Sequence, residues 1–401
     1  MKNILLITTM YPTPESKIHT PVVHYFAKEW IKMGYNVKVI HFRTVFPIYL
    51  YWIGSLFKKI AARYIGNDYI EIKQNKKVNI FFKDDVHVHS FPIFKLFPHG
   101  RFLSSTIRYN IRKIITIIKS NNFTPDLIIG HFHNPQIEIV SKLKSVYPST
   151  RTCIVLHEDA SMIKKTYPKA YLSYMSNIDV WGFRSAILKN SFDSVFNNVE
   201  KKFICYSGIP ECYIKKDEIR TFTKDISSFI YIGHLMERKY PSVLVSSVNK
   251  VINNGDFKIK YIGKGNKKLE ILSLAKELNI SNSIIFTGKL TREEVINHLD
   301  QSDCFIMISK DEVFGLVYLE AMARGCITIG SRNEGIDGVI EHGVNGFLCE
   351  AGNGDELAKL LLFINSLSQE KLKEISLNAK KTAFNMTDYN IAKNYINFVL
   401  N

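Results

Sequence analysis

Apolar residues in this chain fall into short blocks, separated by stretches in which apolar positions recur every three or four residues. Asn3 to Thr9 reads as a buried strand, Tyr11 to Thr20 as a loop, and Thr20 as the N-cap of a helix with Pro21 at its first position. Val22, Val23, Phe26, Ala27, Trp30 and Ile31 share one helical face, Gly34 ends the helix, and Val37 to His41 is the next strand. Strand, helix, strand with short links implies a parallel sheet. Asp126 to Gly130 and Thr152 to His157 repeat the strand pattern. A second series follows at Ser228 to Gly233, Lys258 to Gly263, Ser283 to Gly288, Cys304 to Ser309 and Cys326 to Gly330, with helical sequence between. The reading is α/β, two doubly wound Rossmann-like halves, with a change of pattern near residues 208–226. The expected domains are 1–207, 208–380, and a C-terminal helical segment, 381–401, packing back on the first half. In such sheets ligands bind beyond the carboxyl ends of the strands, so the expected site is the cleft where the halves face each other.

Composition supports a folded two-domain chain: 401 residues, 46% hydrophobic and 22% charged. The longest nearly uncharged apolar stretch, Val45 to Phe57, is broken by Pro47 and Gly54 and is too short for a membrane span of about 20 residues. The first residues lack the long apolar core and cleavage site of a signal peptide, and six scattered cysteines without a C-x-x-C pair suit a reducing compartment. Charge changes the picture more. The net charge is +16, and residues 1–120 alone hold 19 basic against 6 acidic side chains. Such a surface suits an anionic partner, nucleic acid or acidic lipid. Tyr49, Tyr51, Trp52, Ile53, Leu56 and Phe57 with Lys58, Lys59 and Arg63, and the basic stretch 101–119, suit a surface resting on anionic lipid; burial of their apolar faces is the competing reading. No recognition helix, zinc finger or RNP motif speaks for nucleic acid.

The most informative segment is SKDEVFGLVYLEAMARG, Ser309 to Gly325. Glu312 stands in a loop after a strand, and Glu320 inside the helix that opens near Phe314 and Gly315. Both carboxylates can face one crevice while the free N–H groups of the helix point at an anion. Carboxylates for hydroxyls, a helix end for phosphate and a glycine for close approach suit a sugar nucleotide. Taken singly, each glutamate also reads as an ordinary solvated side chain.

The run EVFGLVYLE followed by AMARG resembles the E-x7-E signature of retaining GT-B glycosyltransferases, in particular family 4. The likeness extends from Asp303 to Ser309 upstream and through Gly330 to Leu348 downstream, is strong over residues 228–350 and weak before about residue 120. It implies that Glu312 binds donor-sugar hydroxyls, Glu320 the ribose, and the backbone of Phe314, Gly315 and Leu316 the sugar and diphosphate. Tyr231 to Lys239 resembles the family's strand, Gly, Arg and Lys that neutralise the departing diphosphate. Gly233 and Lys239 fall in place, but His234 stands where the arginine is expected. The second cation is then Arg238 or protonated His234. Thr287 to Leu290 resembles the loop beside the base, which gives Lys289 and Leu290 donor contacts, with a purely structural turn as the alternative. Gly263-Lys-Gly265 lacks the third glycine of a dinucleotide fingerprint, against an NAD enzyme.

In the first half, Leu156-His157-Glu158-Asp159 resembles the segment that brings a histidine to the donor sugar, so His157 joins Lys239, Arg238 and Glu312 as catalytic candidates. His131 is a candidate for the acceptor side, as are Lys17 and His19 in a loop that lacks the paired glycines of many relatives. The pairs His87/His89 and His131/His133 have metal-ligand spacing without a third ligand, and no D-x-D triplet occurs, so no metal and no cofactor is expected. The resemblance implies transfer of a sugar from a UDP- or GDP-sugar, with retention, to an acceptor hydroxyl. The implied acceptor is a lipid-linked saccharide in capsule, O-antigen or exopolysaccharide assembly, at the cytoplasmic face of an anionic membrane. The competing reading, encouraged by His234, is a non-catalytic homologue serving as scaffold or partner subunit.

Overall fold

The computed structural model describes residues 1–14, 21–50, 77–97, 100–214, 220–222, 226–252 and 256–401. Thr20, Lys17, His19 and residues 51–64 of the aromatic and basic segment lie outside the described residues. The chain forms two compact units, one of residues 1–184, 188–205 and 392–401, the other of 185–187 and 206–391.

The first unit is built on an eight-stranded sheet. Its strands are β1 (Asn3–Thr8), β2 (Asn36–Val45), β3 (Asn79–Lys83), β4 (Val86–Phe94), β5 (Leu127–His131), β6 (Arg151–Leu156), β7 (Val180–Phe183) and β8 (Lys202–Ile204), in the order β3-β4-β2-β1-β5-β6-β7-β8. All pairs are parallel except β3 with β4. β1 and β5 are buried almost throughout, as expected of strands covered on both faces by helices. The helix Val22–Lys32 turns Val23, Phe26, Ala27 and Trp30 inward, and Gly34, at φ +88°, closes it.

The chain's last helix, Asp388–Leu400, supplies Ala392, Tyr395, Ile396 and Val399 to this core. Trp30 is fully buried, sets its ring 5.1 Å from that of Tyr395 at a steep angle, and donates its indole N–H to the Ala392 carbonyl at 2.9 Å. Trp30→Ala is expected to cost about 3–5 kcal/mol, because the cavity can close only by displacing the last helix. A urea titration followed by far-UV circular dichroism reads this as an earlier midpoint. The change of unit falls at 391/392, within that helix, not at 380/381. Residues 381–385 finish the preceding helix, Gln369–Asn385, whose Leu372, Ile375, Ala379 and Ala383 lie in the second core.

The second unit carries β9 (Ser228–Ile232), β10 (Lys258–Ile262), β11 (Ile284–Gly288), β12 (Cys304–Ile306), β13 (Ile327–Ser331) and β14 (Phe347–Cys349), all parallel, ordered β11-β10-β9-β12-β13-β14. β9 and β12 are neighbours although two strands separate them in sequence, so the order reverses here. The loops leaving their carboxyl ends start side by side, the usual place for a ligand in such a sheet. Among the described residues no helix is long and apolar enough to cross a membrane.

Candidate functional site

At the carboxyl end of β12 the chain runs through Met307 to Ser309 into an acidic loop and then the helix Leu316–Ala323. Fully buried Tyr318 ties the first turn of this helix back to the strand, donating its hydroxyl to the Met307 carbonyl at 2.6 Å. Gly315 precedes the helix at φ +76°, and a Cβ there would lie 2.6 Å from the Tyr318 ring, so only glycine fits. A second loop fastens the first: the Glu312 amide donates to the Glu334 carboxylate at 2.7 Å, and the Gly335 amide donates to the Glu312 carbonyl at 2.8 Å.

Glu312 is thereby aimed at the loop after β9. Its carboxylate lies 2.9 Å from Lys239 Nζ and 3.7 Å from the Arg238 guanidinium, with the side chains of Glu312 and Lys239 about 15% and 13% exposed. Arg238 also donates to the carbonyls of Lys310 and Asp311 at 3.1 and 3.2 Å, while the Lys310 amide donates to the Arg238 carbonyl at 2.7 Å. Two cations and a carboxylate from adjacent strand ends thus form one cluster beside the opening of a helix. Such a cluster can hold hydroxyls on the carboxylate and phosphate oxygens on the cations.

His234 is exposed, and its carbonyl accepts from the Tyr231 hydroxyl at 3.0 Å. Arg238, not His234, is therefore the cation that the structure joins to Lys239 and Glu312. Gly263 and Gly265 have a structural role: a Cβ on either would lie 2.0 Å from the Gly233 carbonyl oxygen or 2.1 Å from that of Leu235, so the two glycines let one loop back the other. Phe314 buries its ring against Tyr206 and leaves its backbone at the helix opening, next to half-buried Leu316. Lys289 is exposed and Leu290 packs on the core, both after edge strand β11, two strands from β9.

Glu320 has different partners from Glu312. It lies beside buried Tyr213 and Arg292; burial pushes its carboxyl above the usual range, and Arg292 and the Tyr213 hydroxyl oppose that shift. The raised value means the folded state holds this proton more tightly. The resulting stability is full below the unfolded carboxyl pKa and is lost as pH rises through the folded value. Glu320→Gln, which mimics the protonated form, is expected to gain Tm relative to the unsubstituted protein as pH rises from about 4 towards 7. Thermal melts across that range check it. Tyr213 was not legible as a site residue, since it sits in the irregular segment 208–214.

In the first unit, His157 follows β6 and His131 ends β5. His157 is half-buried, stacks on the Phe132 ring at 4.0 Å and meets His131 Nδ1 through its Nε2 at 3.0 Å. His131 is 0% exposed, packed among Phe26, His157 and Tyr395, which corrects its assignment to the acceptor side: no ligand atom can touch it. Desolvation and the nearby Arg184 hold both imidazoles neutral, His131 down to about 3.

His133 Nε2 meets the Thr166 hydroxyl at 3.0 Å, and its Nδ1 lies 3.1 Å from the Glu158 carboxylate. His87 and His89 stack in β4, on Phe82 and towards Phe91. Among the described residues no group of three or more His, Cys, Asp or Glu is placed to hold a metal ion. The basic helix Ser104–Ser120 buries Ile107, Ile111, Ile114 and Ile118 in the first core and carries no acidic residue; Arg108, Tyr109, Arg112 and Lys119 are exposed.

The fold is that of the GT-B glycosyltransferases, two Rossmann-like α/β units with parallel sheets. Residues 215–382 match the family described as glycosyl transferases group 1, a domain that contains the whole Glu312 cluster. The chain is 39% identical over 124 residues to N-acetyl-alpha-D-glucosaminyl L-malate synthase of Bacillus anthracis, a match covering 31% of this chain and 32% of that one. It is 26% identical over 300 residues to an uncharacterised glycosyltransferase of Methanocaldococcus jannaschii, covering 74% and 80%. Among solved structures it resembles HepE of Anabaena in complex with UDP, with a TM-score of 0.67 over 100% of both chains at 15% identity.

Proposed function

We propose that this chain is a retaining glycosyltransferase that takes a sugar from a UDP- or GDP-sugar and places it on an acceptor hydroxyl without a metal ion. The observation that carries this reading is the Glu312, Lys239 and Arg238 cluster beside the opening of the helix Leu316–Ala323. Glu312 grips sugar hydroxyls, Lys239 and Arg238 take the charge that gathers on the diphosphate as the glycosidic bond breaks, and Glu320 holds the ribose. His157 donates to the donor sugar. The sequence offers no convincing covalent nucleophile, so we assign a front-face reaction in which the leaving diphosphate accepts the acceptor proton. UDP in the HepE complex supports a nucleotide donor. The basic first unit and its acid-free helix support a lipid-linked saccharide acceptor at an anionic membrane surface, in bacterial capsule, O-antigen or exopolysaccharide assembly.

Screening NDP-sugars for thermal stabilisation, then for NDP release with a lipid-linked acceptor, tests the reading. One donor is expected to raise Tm and to turn over into an α- or β-linked product of unchanged anomeric configuration. A chain that no NDP-sugar stabilises and that releases no NDP is a scaffold, not an enzyme.

A further inference from the structure

His157 does not stand alone. Behind it runs a chain of polar contacts that ends on the last helix: Tyr395 Oη lies 3.5 Å from His131 Nε2, and His131 Nδ1 lies 3.0 Å from His157 Nε2. Tyr395 has a second polar neighbour, the Cys153 sulfur at 4.0 Å, which is buried and held as a thiol by desolvation. An imidazole nitrogen accepts far better than a thiol, so the Tyr395 hydroxyl donates to His131 Nε2. His131 then carries its proton on Nδ1 and donates to His157 Nε2. That bond leaves Nδ1–H as the remaining donor of the His157 ring.

Phe132 stacks on the His157 ring at 4.0 Å and is held at φ +76°, a left-handed conformation that a bulky residue rarely adopts. Strain of this kind next to a reactive side chain marks a position that the surrounding structure over-determines. The charged group that acts on both rings is Arg184, after β7, while Phe26 and Tyr395 pack on His131. The positive charge of Arg184 disfavours an imidazolium at either ring.

We propose that His131, backed by Tyr395, is a positioning residue that fixes His157 as the neutral Nδ1–H tautomer and so as a hydrogen-bond donor. The inference rests on the role given to His157 in the proposed function and adds the machinery behind it. In water the neutral ring favours Nε2–H, so the tautomer is itself a signature.

Two-bond nitrogen–proton correlations on histidine-labelled protein at pH 7.5, with His157 assigned by its loss in His157→Gln, read it directly. The expected result is a bare Nε2 and a protonated Nδ1. In His131→Leu the ring is expected to revert towards Nε2–H. In His131→Asn, whose amide N–H replaces the lost donor, Nδ1–H is expected to persist. Turnover should fall about tenfold or more in the leucine variant, with donor KM unchanged, and recover in the asparagine variant. A His157 protonated on Nε2 in the unsubstituted protein overturns the proposal, as does an unchanged tautomer in a folded His131→Leu. The spectra need no donor, so a chain that turns over no NDP-sugar overturns the functional reading while the tautomer result still stands or falls alone.

Discussion

Lys239→Ala is expected to lower kcat by about 10²–10³-fold while changing donor affinity no more than a few-fold. The reason is electrostatic. Lys239 Nζ lies 2.9 Å from the Glu312 carboxylate, and in the proposed reaction the new negative charge appears on the diphosphate beside it as the glycosidic bond breaks. An ammonium held in place beforehand stabilises that charge without reorganisation, and its contribution is largest in the transition state. Lys239→Arg should recover part of the loss, since the charge is kept but the point geometry is not. Single-turnover rates at saturating donor, set beside equilibrium titrations, separate the two effects. Unaltered turnover in Lys239→Ala removes this side chain from the mechanism.

The second large effect falls on the loop that fastens Glu312. Gly335 packs so closely on the acidic loop that a Cβ would lie 2.0 Å from the Val313 carbonyl oxygen and 2.5 Å from the Phe314 amide. Gly335→Ala must push the two loops apart, break the bond from its amide to the Glu312 carbonyl and shift Glu312 off Lys239. The expected stability loss is about 1–3 kcal/mol, the usual range for overpacking. Activity should fall further, by about 10²-fold, because a misplacement of about 1 Å suffices for that. Circular dichroism and NDP release on the same sample measure both. A variant with full activity would show that the clamp between these loops is not needed.

The sequence carried the second unit better than the first. β9 to β13 are short apolar runs closed by glycine or serine, a pattern that buried parallel strands impose. β3, β4, β7, β8 and β14 escaped for different reasons. β4 carries His87, His89 and Pro92, which disguise its periodicity. β3 pairs with it only as far as Ser90, so Pro92 lies beyond that edge pairing, where a missing N–H costs little. β3 shows Ile80 and Phe82 to solvent, reversing the usual sign of alternation, and β7, β8 and β14 have four residues or fewer.

At the site, Glu312, Lys239 and Arg238 were legible because each lies in a local motif. What fastens them was not. Glu334 and Gly335 act from 22 residues or more downstream, Tyr213 reaches Glu320 from an irregular segment, and Tyr395 reaches His131 across 264 positions. Long-range hydrogen bonds leave no periodic trace. The exposure of His131 was misread for the same reason, since a histidine at a strand's end looks alike in sequence whether it faces solvent or the last helix.

In the proposed reaction the Glu312 carboxylate recognises the sugar and not the nucleotide. Calorimetric titration of the unsubstituted protein and Glu312→Gln with the preferred NDP-sugar, and separately with the bare NDP, isolates that contact. Glu312→Gln is expected to weaken NDP-sugar binding by about ten- to a hundredfold, through the loss of charge-assisted hydrogen bonds, and to leave NDP affinity unchanged or slightly higher. Equal affinity of both proteins for the NDP-sugar would contradict it.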